Sequence, residues 1–280
     1  MGRLQRIAKA ILREMNVNHP KVIEVPAVPK SEMLSGRFAL ITGGTSGIGL
    51  EIAKRFLRSG CNVVIAGTNE EKIRRVVNEF DTSSLKGCKI DVTDISSIKE
   101  GVRKSISLFP KCQGIDILVN SAGVQLTDKF GSVSEETFDK VMDTNLKGTF
   151  FMSQEVSNHM IERGIRGHIL NISSSSALRN AKNPYEISKW GIKGLTLGFA
   201  ERLIKEGIVV NAIGPGPTAT PLFNRAADGS LSHVSNPSGR LAHPGEIANL
   251  ALILVSSTGD LIVGDTLYVT GGAGTICIDR

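Results

Sequence analysis

Tyr185 and Lys189 stand four residues apart in Asn183-Pro184-Tyr185-Glu186-Ile187-Ser188-Lys189, a spacing that puts a phenol and an ammonium on one face of a helix. A cation beside a phenol favours the phenolate. It brings a group whose ordinary pKa is about 10 toward neutral pH, where it can exchange a proton with an alcohol or a carbonyl. Alone, such a pair is usually an ordinary exposed or half-buried contact. The chain also carries Thr42-Gly43-Gly44-Thr45-Ser46-Gly47-Ile48-Gly49, set between the apolar run Phe38-Ala39-Leu40-Ile41 and the helical pattern Ile48, Ile52, Ala53, Phe56, Leu57. In a strand, tight turn and helix of this kind, glycines let the backbone approach a pyrophosphate closely, and the first amides of the helix attract it. The spacing is G-x-x-x-G-x-G rather than G-x-G-x-x-G, and such a turn could also serve packing alone. Taken together, the two features read as proton transfer beside hydride transfer.

Further motifs follow in order: Asn120-Ser121-Ala122-Gly123 after the strand Ile115 to Val119, Asn145 within a helical stretch around Phe138 to Met152, and the serine run Ser173 to Ser176 ahead of Tyr185. With the glycine turn, these resemble the motifs of the short-chain dehydrogenase/reductase family over about Ser35 to Gly274, with a general likeness to 3-oxoacyl-carrier-protein reductase. The resemblance implies an NAD(P)-dependent enzyme acting on a carbonyl or secondary alcohol, of 3-oxoacyl or sugar/polyol type. It gives Tyr185 the role of acid/base and Lys189 that of holding the nicotinamide ribose while lowering the Tyr185 pKa. Ser174 would bond the substrate oxygen, and Asn145 would hold a water relay from Lys189. Asn145 could instead merely bond a backbone carbonyl. The serine run lies about two residues nearer to Tyr185 than the family spacing. Counting from Asn171-Ile172 selects Ser174, with Ser173 and Ser175 as alternatives.

The same resemblance assigns the dinucleotide to Gly43, Thr45, Ser46, Gly47, Ile48 and Gly49 in the turn, and to Gly67, Thr68 and Asn69 after the second strand. Asp91 and Val92, ending a third strand, would meet the adenine. Asn120, Ala122 and Gly123 would line the middle of the site, with Tyr185 and Lys189 at the reacting end. Pro215, Gly216 and Thr218, after a sixth strand, would hold the nicotinamide side. Ala66, Gly67 and Thr68 occupy the place of the acid that binds an adenosine ribose and excludes a 2′-phosphate. The basic residues common in NADP-preferring relatives are also absent, Ser46 and Thr68 standing there instead. Ser46, Thr68 and Asn69 can all hydrogen-bond a phosphate, so the reading leans to NADP, with NAD as the alternative.

Positioning these groups requires an α/β frame. Apolar strands such as Val63 to Ile65, Ile115 to Val119, His168 to Ile172 and Ile208 to Val210 alternate with helical patterns, which implies a parallel sheet covered on both faces. The family fold is a single-domain Rossmann fold, a parallel twisted sheet with helices on both faces. A chain of 280 residues, 41% apolar and 5% aromatic, can bury one such core. The expected division is 1–34, an N-terminal amphipathic basic helix with a Pro-rich linker, and 35–280, the dehydrogenase/reductase domain. The first 30 residues hold Arg3, Arg6, Lys9, Arg13, Lys21 and Lys30 against Glu14 and Glu24, so they carry four of the formal +6 charges. That placement argues against nucleic-acid binding by the folded domain. Leu4, Ile7, Ala8, Ile11, Leu12 and Met15 fall at helical spacing, suiting a helix packed on the domain or on a neighbouring subunit, or one lying on an anionic membrane surface.

No apolar stretch approaches the roughly 20 residues of a membrane span. Cys61, Cys88, Cys112 and Cys277 and the five histidines show no metal-ligand spacing, so no metal is expected and a cytoplasmic enzyme is. The short, mixed segment Thr218-Ala219-Thr220-Pro221-Leu222-Phe223 suits a small or polar carbonyl or alcohol substrate. The family habit of pairing through the helices that carry Asn145 and Tyr185 implies a homodimer or homotetramer. The alternative is an inactive NAD(P)-binding regulatory or scaffold protein.

Overall fold

The structure, a computed structural model, describes residues 29–126, 130–223 and 229–276. The amphipathic stretch of residues 4–15 and nearly all of the Pro-rich link lie outside them, as does Cys277. Seven strands form one parallel sheet: β1 Phe38–Thr42, β2 Asn62–Gly67, β3 Leu85–Lys89, β4 Ile117–Asn120, β5 His168–Ile172, β6 Val209–Pro215 and β7 Thr266–Val269. Their order is β3-β2-β1-β4-β5-β6-β7. Every residue of β1, β4, β5 and β6 is buried, as expected of strands covered on both faces and read as continuous apolar runs.

Helices connect the strands: α1 Gly47–Leu57, α2 Glu70–Asn78, α3 Ile95–Ser107, α4 Glu135–Met142, α5 Gly148–Arg163, α6 Pro184–Leu203 and α7 Pro244–Leu254. Successive strand side chains point to opposite faces. Ile41, Ile65 and Val119 therefore share one core with Ile52, Ala53 and Phe56 of α1 and Ile247, Ala248 and Ala251 of α7. Leu40, Val64 and Leu118 share the other with Ile98 and Val102 of α3, Met152 and Val156 of α5, and Ala200 and Leu203 of α6. From β1 the chain builds outward through β2 and β3, then returns to the other side of β1 as β4. The connections after β1 and β4 thus leave in opposite directions. That opens a crevice at the carboxyl ends of these strands, where parallel sheets bind ligands.

Two boundaries differ from the sequence reading. Asn211 to Pro215 belong to β6 itself, Ala212 to Pro215 paired in register with β7, so only Gly216 onward forms the following loop. Asn145 sits in a five-residue π-helical turn, Asp143–Lys147, between α4 and α5. A π turn of this kind often marks a functional position in a helix.

Candidate active site

The glycine turn is shaped by close approaches. Gly43 has φ +64, and a Cβ there would stand 2.7 Å from the Ser121 carbonyl oxygen and 2.8 Å from the Ala122 nitrogen. A Cβ on Gly49 would lie 2.5 Å from the Gly43 carbonyl oxygen, so the helix can begin this tightly only without side chains. Thr42, which sequence reasoning passed over, joins the two loops: its hydroxyl accepts from the Ser121 and Ala122 amides at 3.1 and 3.2 Å. Ser46 takes the N-cap position of α1 in extended backbone, yet its side chain caps no amide, and the first turn carries no acid. The first amides of α1 are therefore left without a side-chain cap or a nearby acid, open to an anion.

Across the crevice stands α6. Asn183 caps it by accepting from the Glu186 amide at 3.0 Å, and Pro184 occupies the first turn, where a missing N–H costs nothing. Next to it, Tyr185 is half-buried and hydrogen-bonds Ser174. Burial pushes its phenol up from the usual value. The Ser174 bond opposes the rise and the Glu186 carboxylate adds to it. The expected lowering by Lys189 is thus not the net result, because desolvation dominates and the ammonium lies 5.5 Å from the ring centroid. Lys189 is buried, its Nζ donates to the Ile172 carbonyl at 2.9 Å, and desolvation lowers its pKa to about 8.

The serine run divides its tasks. Ser173 donates to the Lys189 carbonyl at 3.1 Å. Ser174 Oγ accepts from the Ser176 amide at 3.1 Å, capping the short turn Ser175–Leu178, and keeps its hydroxyl toward Tyr185. Asn145 is fully engaged. Its Oδ1 accepts from the Val124 amide at 2.8 Å, while Nδ2 donates to the Val124 carbonyl at 3.0 Å and to Ser188 Oγ at 3.1 Å. Both amide hydrogens of the Asn145 side chain are engaged in these bonds. Its backbone carbonyl already accepts from the Thr149 hydroxyl at 2.7 Å.

Gly43, Ser46, Gly47, Ile48, Gly123, Ser174, Tyr185, Lys189, Pro215, Gly216 and Thr218 line one cavity of about 280 Å³. Ser121, Gln125, Arg179, Thr220, Pro221 and Leu222 line it too. Sequence reading had no signal for Arg179 or Gln125, which lie in loops without periodic pattern. Thr45, Gly67, Thr68, Asn69, Asp91 and Val92 do not line it. They lie by the turn, at the end of β2 and just beyond β2 and β3, with a Cβ on Gly67 placed 3.7 Å from Thr45. Asn69 Oδ1 caps α2 through the Lys72 amide at 2.8 Å, and Asp91 Oδ1 accepts from the Thr93 amide and hydroxyl at 2.9 and 2.7 Å. Val92 packs against Gly148 at the start of α5. Asn120 does not line the cavity: its side-chain amide donates to Ser153 and Asn171, both at 2.9 Å, and so braces β4 against β5 and α5. Among the described residues no cluster of His, Cys, Asp and Glu could hold a metal, and no helix is long and apolar enough to cross a membrane.

The chain matches the family described as short chain dehydrogenase over residues 37–230. It is 36% identical over 244 residues to the (2S)-[(R)-hydroxy(phenyl)methyl]succinyl-CoA dehydrogenase subunit of Thauera aromatica, covering 85% of this chain and 97% of that protein. The 3-ketoacyl-(acyl-carrier-protein) reductase of Brucella melitensis, solved with NADH, superposes with a TM-score of 0.77 at 31% identity over 87% of this chain and all of that one (100%). An actinorhodin polyketide ketoreductase variant solved with NADPH gives 0.77 at 29% identity, covering 88% and 100%.

Proposed function

The chain belongs to the short-chain dehydrogenase/reductase family and is an NAD(P)-dependent oxidoreductase; from that premise we propose that it interconverts a ketone and a secondary alcohol, with Tyr185, Ser174 and Lys189 as the catalytic residues. The observation that carries the reading is the hydrogen-bonded Tyr185–Ser174 pair, in one cavity with the Lys189 ammonium and the uncapped start of α1. The residues fit a dinucleotide: positive-φ glycines, bare amides and a hydroxyl at Ser46 make a cradle for a pyrophosphate. A nicotinamide dinucleotide held there would supply the hydride-transfer chemistry.

The side chains of this protein do the rest. Tyr185 Oη, kept protonated by burial, gives its proton to the substrate oxygen during reduction. Ser174 fixes that oxygen beside the phenol. Lys189 presents a buried positive charge to the ribose side and to the developing phenolate. Asn145 acts as a positioning residue, clamping Val124 to Ser188 so that the loop after β4 and α6 hold their spacing.

NADP is the cofactor we favour. No acid stands at Gly67 or Thr68, and Lys89 Nζ lies 3.3 Å from Glu70, offsetting part of the negative charge of Glu70 and Glu71 at the start of α2. The substrate class we assign is a 3-oxoacyl or sugar/polyol carbonyl compound, supported by similarity to 3-oxoacyl-carrier-protein reductases, gluconate 5-dehydrogenase and glycerol dehydrogenase and by the mixed polar lining of the cavity. Residues 35–280 form the catalytic domain in this reading and 1–34 an added segment. The cytoplasm is its proposed location, supported by free thiols at Cys61, Cys88 and Cys112. A homodimer or homotetramer is proposed because Phe150 on α5 and Leu197 on α6 are exposed on adjoining helices.

Titrating NADPH and NADH separately, with nicotinamide fluorescence as readout and Tyr185→Phe alongside, tests the proposal. Binding by both proteins with turnover only in the wild type is expected. Equal turnover by Tyr185→Phe would sink the assignment of the acid/base.

A further inference from the structure

We infer that Arg179 selects a substrate carrying an oxyanion, a carboxylate or a phosphate, at the mouth of the cleft. This rests on the ketone–alcohol reading of the site and narrows it to a substrate class. Among the described residues lining the cavity, Arg179 and Lys189 are the charged ones and no acid accompanies them. Lys189 is buried and its Nζ is engaged with the Ile172 carbonyl, which leaves Arg179 as the cation a substrate can reach.

An exposed arginine is usually a solvated side chain, but this one is mounted at a fixed place. Its amide donates to the Ser176 carbonyl at 3.2 Å, and its carbonyl accepts from Trp190 Nε1 at 2.7 Å. The backbone of Arg179 is therefore tied both to the turn that holds Ser174 and to the helix that holds Tyr185 and Lys189. No ion pair or hydrogen bond of its guanidinium is found among the described residues. Glu186, the acid in the first turn of α6, accepts from the Lys182 amide at 2.7 Å. A guanidinium offers a planar fork matched to carboxylate and phosphate oxygens. Gln125, also lining the cavity, adds an amide that can donate to the same group.

The test uses two matched pairs of ketones: levulinate with methyl levulinate, and dihydroxyacetone phosphate with dihydroxyacetone. Wild type, Arg179→Gln and Arg179→Lys are compared at saturating cofactor. In one pair the wild type should favour the anionic member in kcat/KM by roughly 10-fold or more, and the pair that shows it tells carboxylate from phosphate. In Arg179→Gln that ratio should collapse toward one, mainly through KM. Arg179→Lys should fall between, since it keeps the charge and loses the fork. A ratio unchanged by Arg179→Gln in both pairs, or no anion preference in the wild type, overturns the inference.

If none of the four compounds turns over, calorimetric binding of levulinate and dihydroxyacetone phosphate to the protein–NADP complex decides. Affinity about tenfold weaker in Arg179→Gln supports the inference, and equal affinity or no binding refutes it. NADPH fluorescence and thermal unfolding of each variant show that fold and cradle persist. A wild type that fails to bind dinucleotide would count against the site reading itself, a result separate from the anion preference.

Discussion

The Ser173 hydroxyl donates to the backbone carbonyl of Lys189 at 3.1 Å, tying the end of β5 to α6. Its neighbour Ser174 points its hydroxyl to Tyr185 instead. Adjacent serines in extended backbone face opposite ways, so one serves the frame and the other the reaction. Ser174→Ala should lower kcat by about 10²-fold or more with dinucleotide affinity retained. Ser173→Ala should act mainly on stability, costing about 1 kcal/mol for a lost buried hydrogen bond. Steady-state kinetics and urea unfolding on the two variants check this, and the reverse pattern would move the catalytic role to Ser173.

Lys189 illustrates a site held against stability. Its ammonium is buried with a carbonyl rather than an acid as partner, and burial lowers its pKa to about 8 from 10.5. The unfolded chain holds the proton more tightly, so the penalty is present in full below pH 8 and fades as pH rises from about 8 to 10.5. Lys189→Met should therefore abolish turnover while raising stability by about 1–3 kcal/mol near neutral pH. Thermal unfolding at pH 7 measures it. A variant less stable than the wild type would show that the Ile172 bond outweighs desolvation.

At the opposite end of the sheet, His168 is buried between Arg37, whose guanidinium lies 3.3 Å from Nδ1, and Asp260, 3.1 Å from Nε2. Arg37 can only donate, so Nδ1 accepts and Nε2–H donates to Asp260. Burial, then the Arg37 charge, lowers the imidazole pKa to about 4 despite Asp260. Folding thus favours the neutral ring. As pH falls below 6.5 the unfolded state binds the proton first, and stability is lost progressively until about pH 4. The full loss is about 3 kcal/mol. Urea midpoints of wild type and His168→Gln at pH 7 and pH 4.5 check it: the wild type should lose more between them. Parallel losses would discount His168.

Leu197 on α6 is 62% exposed, and Gly194 and Gly198 beside it have open space where a Cβ would stand. The rings of Phe150 on α5 and Phe199 on α6 lie 5.2 Å apart, and Phe150 is itself exposed. An apolar face with small residues lets a second helix pair approach closely. Leu197→Asp should convert the assembly to monomers by light scattering after size exclusion. An unchanged mass would place the contact elsewhere.

Much of the frame was legible because it is local. The strand–glycine–helix order around Gly43 and the apolar runs of β1, β4 and β5 depend on neighbours in sequence, and the structure places them within a residue or two. The four-residue spacing of Tyr185 and Lys189 likewise needs only a helix, which Asn183 and Pro184 start. Motif reading was weaker where a side chain has a choice of partners. Asn145 and Asn120 stand at family positions, yet their amides are consumed by Val124 and Ser188, and by Ser153 and Asn171. Nothing local predicts partners 21 to 51 residues away.

The sequence by itself determined the fold class, the family and the pairing of a phenol with an ammonium on one helical face, since periodicity and spacing act over a few residues. Tertiary structure alone decided which serine meets Tyr185, that burial pushes the phenol up rather than down, and that Arg179 stands at the cleft. Desolvation and hydrogen-bond competition depend on atoms brought together from distant parts of the chain. Their outcome exists only once the sheet and helices have closed around them.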